Sequence, residues 1–193
     1  QLGTNQVTPR WFEADRALVL PAGVAPLWLL LPAEEDVPAA LRPFLDYGPA
    51  AVAAGDGYRL FRAVARPPAT EAGLSLNGNA VAYGQDSWAR QDGRAITTLT
   101  IWRQEGAPRP IQIFIHVLDQ SGQLMAQWDG LSAAWEGWRP GDTLVQLATV
   151  TLPESAPSGT YRVVAGLYDP LTNQRWRFPD GRDSVELGQF AIP

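Results

Sequence analysis

The 193-residue chain contains no cysteine and no lysine, and it has one histidine and one methionine. The absence of cysteine excludes disulfides, thiolate zinc sites and thiol nucleophiles. All 15 basic residues are therefore arginine, and 20 acidic residues give a formal net charge of -5. A nucleic-acid-binding surface requires clustered positive charge. We therefore expect no nucleic-acid partner.

Long apolar runs and catalytic motifs are also missing. The longest apolar run, residues 25–33, has nine residues, whereas a membrane-spanning helix needs roughly 20. The chain shows no signal peptide and starts at Gln1 without methionine, so we expect a soluble fragment of a longer protein. A nucleophile elbow, a phosphate loop and an H-E-x-x-H motif are absent, and no carboxylate pair stands out. We therefore expect no catalytic residue and no enzymatic activity in this fragment.

Proline and glycine, at 17 and 18 residues, separate short apolar runs along the chain. This arrangement is typical of many short strands joined by turns. The strand candidates after the first third of the chain are 78–84, 95–103, 110–118, 123–129, 143–152, 160–168, 173–178 and 184–192. Together they predict a mainly β fold over 74–193: an antiparallel β-sandwich of about eight strands, jelly-roll or immunoglobulin-like.

Residues 1–66 predict a small α/β segment, which a proline-rich linker at 67–73 joins to the sandwich. Apolar runs at 27–31 and 58–64 predict strands. Between them, Asp36 is a candidate N-cap for a short helix, which Pro43 would shorten or kink.

The start of this segment has two interpretations. Thr8 and Pro9 suit the beginning of a helix, because proline at the first helical position loses no needed hydrogen bond. Alternatively, Glu13 to Arg16 is a turn between two short strands, and we favour this hairpin. The sequence alone does not decide between them.

The single histidine lies in the stretch IFIHVLDQSGQLMAQWDG, residues 113–130. Residues 110–118 alternate between two strand faces, and His116 shares its face with apolar neighbours. Asp119 and Gly122 suit a tight turn, because aspartate bonds its own backbone and glycine tolerates positive φ. The stretch therefore predicts a β-hairpin, and we interpret His116 as a packed or half-exposed structural residue.

A second structural prediction comes from residues 152–168, LPESAPSGTYRVVAGLY. A proline-rich crossover is followed by Gly-x-Tyr at the start of an apolar strand. This order resembles the tyrosine corner of sandwich folds, in which the ring packs under the loop and the hydroxyl bonds the backbone upstream. We therefore predict a structural role for Tyr161.

The eight tryptophans are many for a chain of this length. Trp135 and Trp138 fall in a predicted loop, and Trp88 lies in another turn-rich segment. An exposed indole face suits a sugar ring, so we predict these three as ligand-binding residues, together with Arg139. The alternative for the loop pair, Trp135 and Trp138, is that these rings close one end of the sandwich or pack on the first segment.

Several aspartates lie in predicted turns, where carboxylate and carbonyl oxygens can hold calcium. Asp180 and Asp183 form the best candidate pair. The alternative is that aspartate is simply a favoured turn residue. We therefore expect either no cofactor or calcium at this pair.

Three motifs share a pattern with a known family. They are H-x-x-D-x-x-G-x-x-x-x-Q-x-D at 116–129, W-x-P-G-D at 138–142 and L-P-x-x-x-P-x-G-x-Y-x-x-x-x-G-L-Y-D at 152–169, which Arg175 follows. They resemble the C-terminal soluble domain of bacterial family 39 membrane glycosyltransferases, which are dolichyl-phosphate-mannose-dependent mannosyltransferase-like, and of related uncharacterised membrane proteins. The resemblance is strongest over 95–193. Relatives carry a longer loop before W-x-P-G, where this chain has 131–138.

The resemblance implies a non-catalytic accessory domain at the extracytoplasmic face of the cell membrane. Its partner would be the membrane domain of its own parent chain, and its ligand a glycan or a lipid-linked sugar. The catalytic acids of such enzymes lie in membrane-proximal loops that this chain lacks, so a glycosyltransferase activity would belong to the parent. The alternatives are a stand-alone carbohydrate-binding module and a purely structural domain. The sequence names no particular ligand.

Overall fold

A computed structural model of the chain describes residues 8–23 and 26–192. This part consists of β-strands, turns and two three-residue 3₁₀ helices, Arg42–Phe44 and Trp135–Gly137. No helix in it is long and apolar enough to span a bilayer. In chain order the strands are β1 (Ala17–Leu20), β2 (Leu27–Pro32), β3 (Leu45–Tyr47), β4 (Ala53–Gly55), β5 (Tyr58–Ala65), β6 (Thr70–Leu76), β7 (Asn79–Gly84), β8 (Trp88–Asp92), β9 (Ala95–Gln104), β10 (Gln112–Leu118), β11 (Leu124–Gly130), β12 (Thr143–Thr151), β13 (Gly159–Tyr168) and β14 (Val185–Ile192).

The strands pair antiparallel in three sheets. The central sheet has the order β1-β12-β9-β7-β6, and β8 pairs with β9 on the same side as β7. The four-stranded sheet has the order β11-β10-β13-β14. The N-terminal sheet has the order β2-β5-β3, and β4 also pairs with β5.

The central sheet is covered on both faces, so the three sheets form layers. Successive residues of a strand point to opposite faces, and in β1 this places Ala17 and Val19 in one core and Leu18 and Leu20 in the other. The first core, the sandwich core, lies between the central and four-stranded sheets. The second core lies between the central and N-terminal sheets. Burial on both faces explains why all four residues of this short strand are apolar.

The predicted mainly β, antiparallel sandwich is confirmed. Seven of the eight strand candidates form strands whose ends lie within two residues of the predicted ends. The eighth candidate, 173–178, makes only isolated bridges, from Arg175 to Tyr168 and from Arg177 to Ser75. The segment crosses from the four-stranded sheet to the central sheet, so it cannot form a ladder with either one.

The short helix that was predicted after Asp36 is not formed. Between Asp36 and Leu45 the chain forms turns and the 3₁₀ helix Arg42–Phe44 only. Pro38 and Pro43 explain this, because proline has no N–H to donate and clashes with the preceding turn. The Asp36 carboxylate caps no helix and instead accepts a hydrogen bond from the Tyr47 hydroxyl at 2.8 Å.

The start of the chain matches neither interpretation fully. A turn is present at the predicted place, since the N–H groups of Arg16 and Ala17 donate to the Glu13 carbonyl. However, Phe12 bridges to Ala133, and β1 pairs with β12, so the two arms of the turn do not form a hairpin. Residues 8–23 also contain no helix.

The stretch expected to be a linker, 67–73, is partly a strand. β6 begins at Thr70 and pairs with β7 in the central sheet. That sheet also contains β1, from the predicted first segment, beside strands of the predicted sandwich. The two predicted segments therefore share one sheet.

Candidate ligand site on the four-stranded sheet

The outer face of the four-stranded sheet, opposite the sandwich core, carries a concave region of about 400 Å³. Ligand sites of proteins commonly have volumes of roughly 300–1,000 Å³. We call this region the His116 site. Its lining residues come from β10, β11, the end of β13 and the loop that follows: Phe114, His116, Gln127, Asp129, Tyr168, Asn173 and Arg175.

Strand pairing places four of these residues side by side. In the antiparallel ladder between β10 and β11, His116 lies opposite Gln127, and Phe114 lies opposite Asp129. The intervening residues of β10 point to the other face and are buried in the sandwich core. The alternation that predicted the hairpin therefore also selects which of its side chains face outward.

A compact loop after β13 brings the remaining side chains to the site. The buried Asp169 carboxylate accepts hydrogen bonds from the backbone N–H groups of Leu171 at 2.8 Å and Thr172 at 3.3 Å. The Asn173 N–H donates to the Asp169 carbonyl, and the Asp169 N–H donates to the Gln174 carbonyl. These bonds close the loop at both ends. Asn173 adopts a left-handed conformation with φ of 58° at the turn.

The Arg175 side chain lies over the ring of Phe114. Its guanidinium carbon lies 4.4 Å from the centroid of the Phe114 ring, and its Nη1 lies 3.0 Å from Asp183 Oδ2. A Cβ built on Gly166, which pairs with Phe114 in the neighbouring strand, would lie 2.4 Å from Phe114 Cζ. Phe114 thus packs closely against the β13 backbone and the arginine, and it is 1% exposed.

The titratable groups of the site influence one another. Burial lowers the pKa of His116, and Arg175 lowers it further, while Asp129 and Asp183 act in the opposite direction. Burial, and then Asp129, raises the pKa of Tyr168. We therefore expect a neutral imidazole and a protonated phenol near pH 7. The Tyr168 hydroxyl donates to Gln112 Oε1.

The charged groups in and beside the site are the Arg175 guanidinium and the carboxylates of Asp129 and Asp183. Asp183 pairs with Arg175, whereas Asp129 is exposed and has no ion-pair partner among residues 8–23 and 26–192. The site thus presents a carboxylate acceptor and guanidinium donors, with the amides of Gln127 and Asn173 able to do both. Such a set can hold a ligand that both donates and accepts hydrogen bonds.

The predicted tryptophan platform is not formed. Trp138 is 4% exposed and belongs to the sandwich core, so its prediction as a ligand-binding residue is wrong. Trp135 is half-buried and packs against the same core. Trp88 is half-buried against the second core, and the Arg90 guanidinium lies 4.5 Å from its ring. The alternative interpretation, that these side chains pack, fits their positions.

Arg139 is exposed at the turn after Trp138. Its backbone N–H donates to Asp142 Oδ2 at 2.8 Å. The same oxygen lies 2.5 Å from Arg10 Nε, and the other carboxylate oxygen accepts from the Ala22 N–H at 3.2 Å. Asp142 is 2% exposed. The W-x-P-G-D motif therefore ties the N-terminal segment to the turn before β12.

The two aspartates predicted for calcium each form an ion pair with an arginine. Asp180 Oδ2 lies 2.6 Å from Arg182 Nε, and Asp183 is the partner of Arg175. In the part of the chain that the structure describes, no group of three or more His, Cys, Asp or Glu residues could hold a metal ion.

Three other residues with predicted structural roles, Tyr161, Asp119 and Gly122, lie in a tight crossover and a turn. The buried Tyr161 donates from its hydroxyl to the Pro157 carbonyl at 2.5 Å, which is the tyrosine corner. Asp119 Oδ1 accepts from the backbone N–H groups of Ser121 and Gln123. Gly122 adopts φ of 84° in the same turn. The predicted hairpin is formed by β10 and β11.

His116 was expected to be structural, and it is half-buried with its ring centroid 4.6 Å from that of Phe114. The structure also places it in the floor of the concave region. The polar residues around it that were not among the predicted site residues are Gln127, Asp129, Tyr168 and Asn173. A usable signal was present: Gln127 and Asp129 belong to the same motif as His116, and strand periodicity places all three on one face.

Comparisons with known proteins find only solved structures of low similarity. Neither a protein-family model nor a curated protein matches the chain. Among solved structures, a β-glucuronidase from glycoside hydrolase family 2 matches 69% of this chain and 13% of its own, with 16% identity and a TM-score of 0.41. A protein assigned as a β-galactosidase from Bacteroides fragilis matches 94% of this chain and 30% of its own, with 14% identity and a TM-score of 0.29. The chain thus spans less than a third of either protein, and similarity at this level assigns no function.

Proposed function

We propose that this chain is a non-catalytic recognition domain that binds an uncharged carbohydrate at the His116 site. The observation that carries the proposal is the convergence of six polar side chains on one concave face: His116, Gln127, Asp129, Tyr168, Asn173 and Arg175. They come from two strands, the end of a third strand and one loop, and all face the same space.

The chemistry of these side chains favours a polyhydroxylated ligand. Each sugar hydroxyl both donates and accepts a hydrogen bond, as do the amides of Gln127 and Asn173, while Asp129 supplies an acceptor and Arg175 supplies donors. A hydrogen bond to a charged partner contributes about 1.5–3 kcal/mol. Asp129 and Asp183 outnumber the single guanidinium, which disfavours an anionic ligand.

The family resemblance supports a specific setting for this recognition. His116, Gln127 and Asp129 are three of the five motif residues at 116–129, and all three line the site. On this basis the parent is a family 39-like membrane glycosyltransferase or a related membrane protein, and the domain works at the extracytoplasmic face. Its ligand is then a glycan or the sugar part of a lipid-linked donor.

A glycan-array screen of the purified chain tests the proposal. The array is probed with the unaltered protein, Asp129→Asn and Arg175→Gln, first with calcium and then with chelator. Asp46→Asn and Arg66→Gln are matched controls, because they alter an exposed ion pair in and beside the N-terminal sheet. We expect binding to neutral glycans that both site variants weaken about tenfold or more and both controls retain.

The proposal fails if no neutral glycan binds, or if the site variants bind as well as the controls. Binding that requires calcium would support a calcium site at the turn aspartates Asp180 and Asp183. Melting temperatures of all variants are measured in parallel, so that loss of fold is distinguished from loss of binding.

A second candidate function, support of the parent's membrane domain, is favoured by one separate observation. The outer face of the N-terminal sheet exposes four large apolar side chains: Trp28 at 64%, Leu30 at 56%, Tyr58 at 43% and Val64 at 43%. A large contiguous patch of exposed apolar side chains often marks an interaction site, whereas a single exposed apolar residue is ordinary. The sequence neighbours of Trp28, Leu30 and Val64 point inward to the second core.

Hydrogen exchange of the full-length parent and of this chain tests the supporting role. If the membrane domain covers the N-terminal sheet, amides of β2 and β5 exchange more slowly in the parent than in the isolated chain. Equal exchange rates would remove this candidate. Trp28→Ala and Leu30→Ala should leave the melting temperature of the isolated chain nearly unchanged, because both side chains are exposed.

A further inference from the structure

The outer face of the four-stranded sheet continues beyond the His116 site into a second concave region of about 350 Å³. We call it the Arg162 region. It is lined by the turn between β10 and β11 and by outward residues of β13 and β14: Asp119, Gln120, Ser121, Gly122, Thr160, Arg162 and Gln189. Like the His116 site, it is dominated by polar side chains.

Strand register shows that the two regions adjoin. His116 pairs with Val164, and the next outward pair in the same ladder is Leu118 with Arg162. Outward residues of one strand are two positions apart, which is about 6.6 Å at the usual rise per residue. Gln189 lies opposite Arg162 on β14. The Arg162 region therefore begins one step along the sheet from the imidazole.

The floor between the two regions is apolar, and their ends are polar. Val164 is 7% exposed, and Leu118 is half-buried beside it. At the far end Arg162 and Gln189 are exposed, as are Asp129 and Arg175 at the near end. An apolar floor accommodates the C–H face of a sugar ring, while polar edges reach the hydroxyl groups of successive rings.

We propose that the ligand is an uncharged oligosaccharide, which lies along β10 and β13 and occupies both the His116 site and the Arg162 region. This inference rests on the proposed function and adds that more than one sugar ring is bound. Arg162 and Gln189 supply the donors and acceptors of the second subsite. Glu186, whose carboxylate lies 4.0 Å from the Arg162 guanidinium, and Asp119 keep that region from being cationic.

Chain-length dependence tests the inference. Mannose, mannobiose and mannotriose, and the matching series from glucose to cellotriose, are titrated calorimetrically into the unaltered protein. They are also titrated into Arg162→Gln, Asp129→Asn and Arg62→Gln. Arg62 is an exposed arginine of the N-terminal sheet and serves as the control.

We expect the trisaccharide of one series to bind about tenfold more tightly than its monosaccharide. Arg162→Gln should remove this gain and leave monosaccharide binding unchanged, while Asp129→Asn weakens all lengths. Equal affinity for mono- and trisaccharide, or an unaffected trisaccharide in Arg162→Gln, would overturn the inference and leave the proposed function standing. If no sugar of either series binds and the glycan array is also blank, both fail.

Discussion

The guanidinium carbon of Arg175 lies 4.4 Å from the centre of the Phe114 ring, and the same arginine is bound to Asp183. This contact joins the loop after β13 to the middle of β10, two elements that are far apart in sequence. Because an arginine stacked on an aromatic ring has fewer orientations, its remaining N–H groups are held in place for a ligand. The stack is therefore the structural basis of the His116 site.

Arg175→Lys should weaken ligand binding although it keeps the charge. Lysine lacks the planar group that stacks on Phe114 and binds the carboxylate of Asp183. We expect a loss of about tenfold in affinity, on the scale of a charged hydrogen bond, measured by calorimetry with the tightest-binding glycan. Arg182→Lys is the control, because Arg182 stacks on Phe178 and pairs with Asp180 outside the site. Equal losses in both variants would contradict the assigned role.

Gly166→Ala should displace the Phe114 ring. The added Cβ would lie 2.4 Å from Phe114 Cζ and 2.4 Å from the Asp183 carbonyl oxygen, which is too close for either atom. Overpacking of this kind costs about 1–3 kcal/mol of unfolding free energy, measurable by urea denaturation. Gly48→Ala is the control, because its Cβ would meet nothing within 4 Å. If Gly166→Ala is as stable as this control, the close packing is incorrect.

Stability should decrease below pH 6.5 through His116. Burial and the neighbouring Arg175 lower the pKa of this residue below its ordinary value of 6.5, and the opposing Asp129 and Asp183 do not restore it. The unfolded chain therefore binds more protons as the pH falls from 6.5 toward the folded-state pKa. The contribution of His116 to the unfolding free energy is complete above pH 6.5 and is lost over that interval.

His116→Gln tests this dependence. Urea denaturation of both proteins at about pH 7.5 and about pH 5 gives two stability differences, and comparing them cancels the shared titration of carboxylates. We expect the unaltered protein to lose more stability than the variant. Since the chain has one histidine, a single imidazole resonance in the NMR spectrum reports the pKa directly. A pKa at or above 6.5 would contradict the prediction.

Trp138→Ala should destabilise the fold without a specific effect on the ligand. Its side chain is 4% exposed within the sandwich core, and removing a buried tryptophan costs about 3–5 kcal/mol. Thermal unfolding measures the loss, and Trp11→Ala is the control because Trp11 is 64% exposed. Unchanged stability combined with lost glycan binding would restore the tryptophan platform that the sequence predicted.

Asp142→Asn should be strongly destabilising. The carboxylate lies 2.5 Å from Arg10 Nε, and the side-chain exposures are 8% for Arg10 and 2% for Asp142. Removing one charge of such a pair leaves the other uncompensated, at a cost of about 3–5 kcal/mol. Asp46→Asn alters an exposed pair with Arg66 and should cost less than about 1 kcal/mol. Denaturant unfolding compares the two variants, and equal small losses would contradict the burial of the pair.

The sequence predicted those parts of the fold in which alternation and turn chemistry agree. The hairpin of β10 and β11 is an example, because Asp119 and Gly122 mark its turn between alternating strands. Strand β8 was missed, since its residues Trp88–Asp92 are mostly polar and the strand depends on main-chain pairing with β9. The short helix predicted after Asp36 is not formed, because the apolar spacing of that stretch was given more weight than Pro43.

The candidate site was only partly predictable. Local periodicity places His116, Gln127 and Asp129 on one face, but the approach of Arg175 depends on the register between β10 and β13 and on the loop that Asp169 organises. Nothing in the local sequence specifies that register. The tryptophans were misjudged for a similar reason, because a loop position does not reveal whether a ring points outward or into a core.

An NMR titration of the isotope-labelled chain with the tightest-binding neutral oligosaccharide tests the central claim most directly. The account predicts chemical-shift changes concentrated in residues 114–118, 127–129 and 160–175, with the His116 imidazole among the most affected. The same titration of Asp129→Asn should give the same pattern at higher ligand concentration. The absence of binding, or changes confined to the N-terminal sheet, would contradict recognition by the outer face of the four-stranded sheet.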